Sequence, residues 1–289
     1  MTPYQAFVDA HLELLAKGRS LPLGGFPHPS RPSAASDAPK ALIFSPHPDD
    51  EVIIGGLPLR LARECGWRVI NVAVTQGSNP DRQAERWKEL AACCEHIGFD
   101  LLPTAPGGLT GINVKSRSTD AAGWKSKVEV IRSLIESERP RCLFFPHDDD
   151  WNSTHIGTHH LIVDALRAMD RSWEGLVVET EFWGAMDTPN LMVESSGRDL
   201  ADLLAALTFH VGEVRRNPYH LRMPGWMMDN VRRGSELVGG QGGAAPEFAF
   251  ATLYRLRRWR EGGFEPLHEG GRFVGAGESL GELFGLGNS

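Results

Sequence analysis

The stretch "ALIFSPHPDDEVIIGG", residues 41–56, indicates how this chain folds. An apolar run ends at Pro46, and a histidine, two aspartates and a glutamate follow within five positions. A short apolar run bounded by a proline is typical of a buried strand. In open parallel sheets, ligands bind beyond the carboxyl ends of the strands. The polar residues therefore stand where such a sheet would place a functional site.

Short apolar runs alternate with helical patterns through the first two thirds of the chain. The predicted strands cover 41–45, 68–75, 141–146 and 176–183, with a weaker one over 99–102. The predicted helices cover 52–65, 82–97, 121–137 and 155–169. This alternation predicts an α/β fold, a Rossmann-like three-layer sandwich with a mostly parallel sheet and helices on both faces.

The two ends of the chain have a different pattern. Residues 1–39 are predicted to form a helix and a linker rich in Pro, Gly and Ser, and residues 40–289 to form one domain. Further helices are predicted over 198–209, 222–238 and 246–259, and the glycine-rich tail from Gly262 is expected to be irregular.

Composition excludes several classes of protein. A formal net charge of -7 without long charged runs argues against a nucleic-acid binder. No stretch reaches 18 apolar residues, so no membrane span is expected, and the amino terminus lacks a signal-peptide pattern. The four cysteines include no C-x-x-C pair, which favours reduced thiols and a cytoplasmic protein.

A second polar cluster, "PHDDDWNSTHIGTHH" at 146–160, also follows a predicted strand. Both clusters are therefore expected at one edge of the sheet. Catalytic zinc often takes two His and a carboxylate and keeps a position for water. His47 and Asp50 are candidate ligands, and Asp49 is placed to act as a general base. The residues alone leave the third ligand open among four histidines: His147, His155, His159 and His160.

An alternative interpretation of the first cluster needs no metal. Carboxylates suit helix N-termini, so the Asp-Asp-Glu run at 49–51 also fits a cap for the following helix.

The segment "SPHPDDEVIIGG", 45–56, resembles the signature of the PIG-L/LmbE-like zinc-dependent de-N-acetylases. Three further segments are similar to family motifs: "VTQGS" (74–78), "RWKELAACCEHIG" (86–98) and "DWNSTHIGTHHLIVDAL" (150–166). "GGQGGAAPEFAF" (239–250) is a weaker match.

The resemblance implies a role for each matching residue. It implies that zinc is bound by His47, Asp50 and His155. The chemistry of such a site also allows iron, manganese or cobalt. It implies that Asp49 is the general base and that Arg86 contacts the substrate. The implied reaction removes an N-acetyl or other N-acyl group from a small amino sugar or its conjugate.

The chain departs from the family in the second motif. Asn152 stands where the family has a histidine that polarises the reacting carbonyl, and Thr154 replaces its aspartate partner. An amide can donate a hydrogen bond to an oxyanion, but it carries no charge. Asn152 is therefore the expected oxyanion donor, with His147, His159 or a later histidine as alternatives. "PGGL" (106–109) lacks the acidic substrate contact of the family.

Two neighbouring acids are expected to support the ligands. Glu51 is predicted to orient His47 or to cap the helix, and Asp150 to lie behind the metal ligands. Trp151, Trp183 and Trp226 are candidates for stacking on a sugar, with core packing as the alternative.

Two other functions stay open from the sequence. The aspartates at 49, 50 and 148–150 are numerous enough for a two-metal phosphoesterase. The departures at 152 and 154 favour a non-catalytic sugar-binding relative. The pattern does not decide the oligomeric state.

Overall fold

The computed structural model describes residues 2–29, 34–169, 173–281 and 283–284. These residues form a mixed sheet of nine strands. The strands are β1 (Lys40–Ser45), β2 (Arg68–Ala73), β3 (Asp100–Pro103), β4 (Cys142–Pro146), β5 (Gly175–Thr180), β6 (Leu191–Glu194), β7 (Ala251–Arg260), β8 (Gly263–Pro266) and β9 (Arg272–Val274). Their order is β3-β2-β1-β4-β5-β7-β6-β9, with β8 paired to β7.

The described helices surround this sheet. They are α1 (Pro3–Arg19), α2 (Asp50–Ile53), α3 (Gly56–Glu64), α4 (Pro80–Ile97), α5 (Ser116–Thr119), α6 (Ala121–Glu138), α7 (Ser153–Ala168), α8 (Gly197–Leu207), α9 (Val211–Arg216) and α10 (Met223–Leu237). A short 3₁₀ turn covers Tyr219–Leu221.

Successive residues of β1 face opposite layers of helices. Ala41 and Ile43 belong to a buried cluster with side chains of α3, α4 and α8, while Leu42 packs with side chains of α6 and α7. A strand covered on both faces is apolar throughout, which explains the continuous run in the sequence. The predicted three-layer α/β fold is confirmed.

The first five strands are parallel, and their order reverses at β1. The chain runs from β1 to β2 and β3 on one side, and then crosses to β4 and β5 on the other. Because the loops after β1 and β4 leave in opposite directions, a crevice opens between them at the carboxyl edge of the sheet.

The helix predicted over 246–259 is wrong, because most of this segment forms the long strand β7. β7 lies between β5 and β6 and is antiparallel to both. A strand buried on both faces shows no clean two-residue period, and its apolar spacing at 250, 253 and 254 imitates a helix. The tail from Gly262, expected to be irregular, contributes the short strands β8 and β9.

The helix predicted over 52–65 is divided at Gly55. The Tyr254 hydroxyl of β7 enters the break, where it donates to the Ile54 carbonyl at 2.8 Å and accepts from the Leu57 amide at 3.0 Å. A Cβ atom at Gly55 would lie 2.4 Å from the Leu203 side chain. Close approach of α8 therefore requires glycine at this position.

Helix α1 forms as predicted, but its apolar side chains face solvent. Phe7 is 64% exposed and Leu12 is 61% exposed. Gly18, near the end of the helix, lies against Leu221. Within the described ranges, no helix is both long and apolar enough to cross a membrane. All four cysteines are free.

Candidate metal centre and catalytic site

The two polar clusters leave the carboxyl ends of neighbouring strands. Ile43 of β1 pairs in parallel register with Phe144 of β4, so both strands end at the same edge of the sheet. The clusters, more than 100 positions apart in the sequence, therefore meet at the crevice where the strand order reverses.

Three side chains bring their ligand atoms together in this crevice. His47 Nδ1 lies 3.3 Å from Asp50 Oδ2, and His155 Nε2 lies 3.5 Å from the same oxygen. The two histidine nitrogens are 3.3 Å apart. A tetrahedral ion with Zn–N and Zn–O bonds of about 2.0–2.1 Å places neighbouring ligand atoms roughly 3.3–3.4 Å apart. The three donors fit such an ion and leave a fourth position open.

Asp150 orients one of these donors from behind. Its Oδ2 accepts a hydrogen bond from His155 Nδ1 at 3.0 Å, and its Oδ1 accepts one from the backbone N–H of Asn152 at 2.7 Å. These bonds hold the pKa of Asp150 below its usual value, against the effect of burial. Because Nδ1 is engaged by Asp150, Nε2 is the ring nitrogen that faces Asp50 and His47.

The donors also stabilise one another electrostatically. Burial alone would lower the pKa of His155, but the carboxylates of Asp50 and Asp150 raise it to about 10. Burial would raise the pKa of Asp50, but the facing histidines, first His155 and then His47, hold it well below its usual value. Asp50 thus stays ionised, and a divalent cation held by these donors would take the place of the Nε2 proton of His155.

Asp49 lies beside the three donors in a strained backbone conformation. Its φ of 112° falls in the left-handed region, where an aspartate is uncommon. Its amide donates to Glu51 Oε2 at 2.9 Å, and the Tyr219 hydroxyl donates to its Oδ2 at 2.5 Å. These contacts hold the carboxylate at the crevice.

Asp49 also has a perturbed pKa. Burial is the main cause, and the charge of Asp50 adds to it, so that the pKa rises to about 6. Nearby His210 and Arg86 and the hydrogen bond from Tyr219 act in the opposite direction. A carboxylate with such a pKa can both accept and return a proton near neutral pH.

Glu51 belongs to a separate buried cluster. Its Oε1 contacts His210 Nε2 at 2.7 Å and accepts from the Cys93 thiol at 3.0 Å. Burial, followed by the charge of Glu51, raises the pKa of Cys93 well above its usual value, so the thiol stays protonated. The structure describes no hydrogen bond from Glu51 to His47, and Glu51 instead holds the Asp49 amide.

Asn152, the predicted oxyanion donor, and Arg86, the predicted substrate contact, both form hydrogen bonds within the protein. Asn152 is the N-cap of α7, and its Oδ1 accepts from the Thr154 amide at 2.9 Å. Arg86 donates from Nη2 to the Pro48 carbonyl at 2.8 Å, and its side chain is only 13% exposed. Arg86 therefore braces the loop that carries Asp49.

The other histidines of the second cluster do not reach the three donors. His147 Nε2 contacts the Gly184 carbonyl at 3.0 Å, and its Nδ1 accepts from the Asp149 amide. His159 Nδ1 contacts the Pro146 carbonyl at 3.0 Å. Geometry thus selects His155 from the four candidates.

Sequence analysis identified neither Tyr219 nor His210 as a neighbour of Asp49 or Glu51. Both come from the region after α8, where no motif marks them. Tyr219 lies 170 positions from the Asp49 it contacts, so no local pattern could have identified it.

Part of this chain is similar to known deacetylases. Residues 42–166 match the PIG-L family model, described as GlcNAc-PI de-N-acetylase. A curated relative from Nocardia farcinica, 1D-myo-inositol 2-acetamido-2-deoxy-alpha-D-glucopyranoside deacetylase, is 26% identical over 196 residues. That match covers 57% of this chain and 65% of the relative.

Solved structures share the fold at low identity. The N,N'-diacetylchitobiose deacetylase from Pyrococcus horikoshii has a TM-score of 0.55 and 16% identity, covering 89% of this chain and 93% of that one. The 4-carboxy-2-hydroxymuconate hydratase from Pseudomonas putida KT2440 has a TM-score of 0.56 and 16% identity, covering 75% and 95%. The second likeness shows that this fold is not restricted to deacetylases.

Proposed function

We propose that this chain, which matches the PIG-L family model over residues 42–166, is a metal-dependent hydrolase that removes N-acetyl groups from a small amino sugar or its conjugate. The substrate class follows the names of the matched family and of the Nocardia farcinica relative. Residues 40–289 form the catalytic domain in this proposal, and residues 1–39 are an extension of it.

The observation that carries the proposal is the arrangement of His47, Asp50 and His155 beside Asp49. Three donors stand at the spacing of a tetrahedral ion, and a carboxylate with a raised pKa adjoins them. Two His and one carboxylate suit zinc, and iron, manganese or cobalt also accept this set.

In the proposed reaction, the metal ion and the protein side chains have separate roles. A bound divalent ion supplies Lewis-acid activation of water near neutral pH. Asp49 accepts the proton of the attacking water and returns it to the leaving amine, so that acetate and a free amine result. Tyr219 keeps the Asp49 carboxylate aimed at the crevice through its hydrogen bond.

Asn152 is the proposed donor to the carbonyl oxygen as negative charge develops there. Its Oδ1 is committed to the cap of α7, which leaves the two Nδ2 hydrogens to donate. A neutral donor supplies less stabilisation than a charged histidine would.

The two-metal phosphoesterase is not favoured, because two of its five candidate carboxylates have other partners. Asp148 Oδ1 pairs with Arg255 at 2.6 Å, and Asp150 holds His155. A second ion would need free carboxylates about 4 Å from the first.

Metal analysis together with acetate release tests the proposal. The zinc-loaded protein is expected to hold one ion per chain and to release acetate from at least one member of a panel of N-acetylated amino sugars. His155→Ala is expected to lose the ion, whereas His160→Ala, outside the cluster, keeps it. Two ions per chain, or no acetate from any substrate by the loaded protein, would contradict the proposal.

A further inference from the structure

Residues 182–184, Phe-Trp-Gly, connect the two halves of the site. The Phe182 ring packs edge-on against the His155 ring at a centroid distance of 4.7 Å. On the other side, the Gly184 carbonyl contacts His147, and a Cβ atom at Gly184 would lie 2.9 Å from the Asp150 Cα. The segment is therefore fixed on both sides of Trp183 by residues of the metal centre.

The Trp183 indole lies beside Tyr219, the residue that contacts Asp49. It meets the Tyr219 ring edge-on at 5.3 Å, and the Tyr219 hydroxyl contacts Asp49. The indole nevertheless stays 44% exposed. The Tyr219 ring thus lies between Asp49, the proposed general base, and Trp183, whose indole is only partly packed against other residues.

The other candidate tryptophans lack this combination. Trp226 packs partly buried against the main core cluster, as the packing alternative predicts. Trp151 is 70% exposed, and no ring contact to it is described. Trp183 alone joins exposure with a contact to a residue that touches Asp49.

We propose that Trp183 is a substrate-binding platform that stacks on the apolar C–H face of the pyranose ring carrying the N-acetyl group. This inference rests on the proposed function, because it assigns the ring whose acetamide reaches Asp49. A tryptophan side chain has only two rotatable bonds, so it loses little conformational entropy on binding, and its flat apolar surface suits a sugar face. An acyclic N-acetylated amine presents no such face.

Calorimetric titration of the zinc-loaded protein with methyl N-acetylglucosaminide tests the platform without requiring turnover. Trp183→Ala is expected to weaken binding about tenfold, and Trp183→Phe to restore most of it, because a smaller ring keeps part of the stacking area. Phe7→Ala, which removes an exposed ring from α1, is the matched control and leaves binding unchanged. Zinc content should be equal in all variants.

Kinetics with paired substrates adds a second readout. Trp183→Ala is expected to raise the KM for the glycoside about tenfold with little change in kcat, and to leave hydrolysis of acyclic N-acetylethanolamine unchanged. Wild-type protein that does not bind the glycoside, or Trp183→Ala that binds it as tightly as wild type, would overturn the platform. Binding that depends on Trp183 without acetate release would support the platform and refute the hydrolase.

Discussion

At the scale of single residues, Asp49 combines a strained backbone with a half-buried carboxylate. A φ of 112° for a residue other than glycine costs about 1–3 kcal/mol and persists only where neighbours enforce it. Glu51 enforces it through the Asp49 amide, and Tyr219 fixes the carboxylate. Strain held in this way is common at functional sites, which supports Asp49 as the proposed base.

Replacing Asp49 by asparagine tests this role directly. Asp49→Asn removes the proton acceptor but keeps the shape, so kcat is expected to fall about 10²–10⁴-fold with zinc content unchanged. Acetate release and metal analysis measure the two effects. Asp148→Asn, which removes a carboxylate paired with Arg255, is the control and should keep its activity. Loss of zinc from Asp49→Asn would instead make Asp49 a ligand.

The Tyr219 hydroxyl is expected to act through Asp49 rather than on the substrate. Tyr219→Phe should lower kcat about tenfold with little change in KM or zinc content, because a hydrogen bond to a charged group is lost. Tyr4→Phe, which removes an exposed hydroxyl from α1, is the matched control. A change confined to KM would contradict a positioning role.

At the scale of elements, a buried ion pair between Glu51 and His210 holds the short helix α2 in place. Glu51 and His210 are both fully buried and are 2.7 Å apart. Burial alone would lower the pKa of His210, but Glu51 raises it above the usual value. The pair joins α2 to the start of α9, 159 positions away.

Breaking this pair is expected to destabilise the fold strongly. His210→Ala leaves the Glu51 charge buried without its cation, which should lower the free energy of unfolding by about 3–5 kcal/mol in urea titrations. Asp229→Ala breaks the exposed pair with Arg232 and should leave stability nearly unchanged. Equal stability of the His210→Ala protein and wild type would show that the pair contributes nothing.

At the scale of the whole molecule, β7, the strand that was predicted to be a helix, connects the C-terminal region to the first motif. Tyr254 of β7 satisfies both the Ile54 carbonyl and the Leu57 amide at the break between α2 and α3. These two backbone groups are buried where water does not reach them. Without the Tyr254 hydroxyl, each would be left without a hydrogen-bond partner. The position of α2, and with it Asp50, thus depends on a residue 200 positions away.

Removal of this hydroxyl tests the connection. Tyr254→Phe is expected to lower the free energy of unfolding by about 1–3 kcal/mol, because two backbone groups lose their partner. Zinc affinity is expected to weaken as well, since the break directly follows α2, the helix that begins at Asp50. Thermal unfolding and zinc titration measure these effects against the Tyr4→Phe control. A stability equal to wild type would contradict the role of Tyr254.

The sequence by itself determined the parallel half of the sheet and the two loops of the site. Apolar runs that end in polar clusters are local signals, and the carboxyl ends of parallel strands share one edge. His47, Asp49 and Asp50 could therefore be placed from residues 41–56 alone, and resemblance to the family supplied His155.

Only the tertiary structure decided which partners complete the site. His155 and His159 lie one turn apart on α7, and only packing against β4 shows which one faces Asp50. Tyr219 and His210 approach from distant segments, and β7 is a strand because both of its neighbours pair with it. Contacts across 150 or more positions depend on how layers pack, and such packing leaves no period or motif in the local sequence.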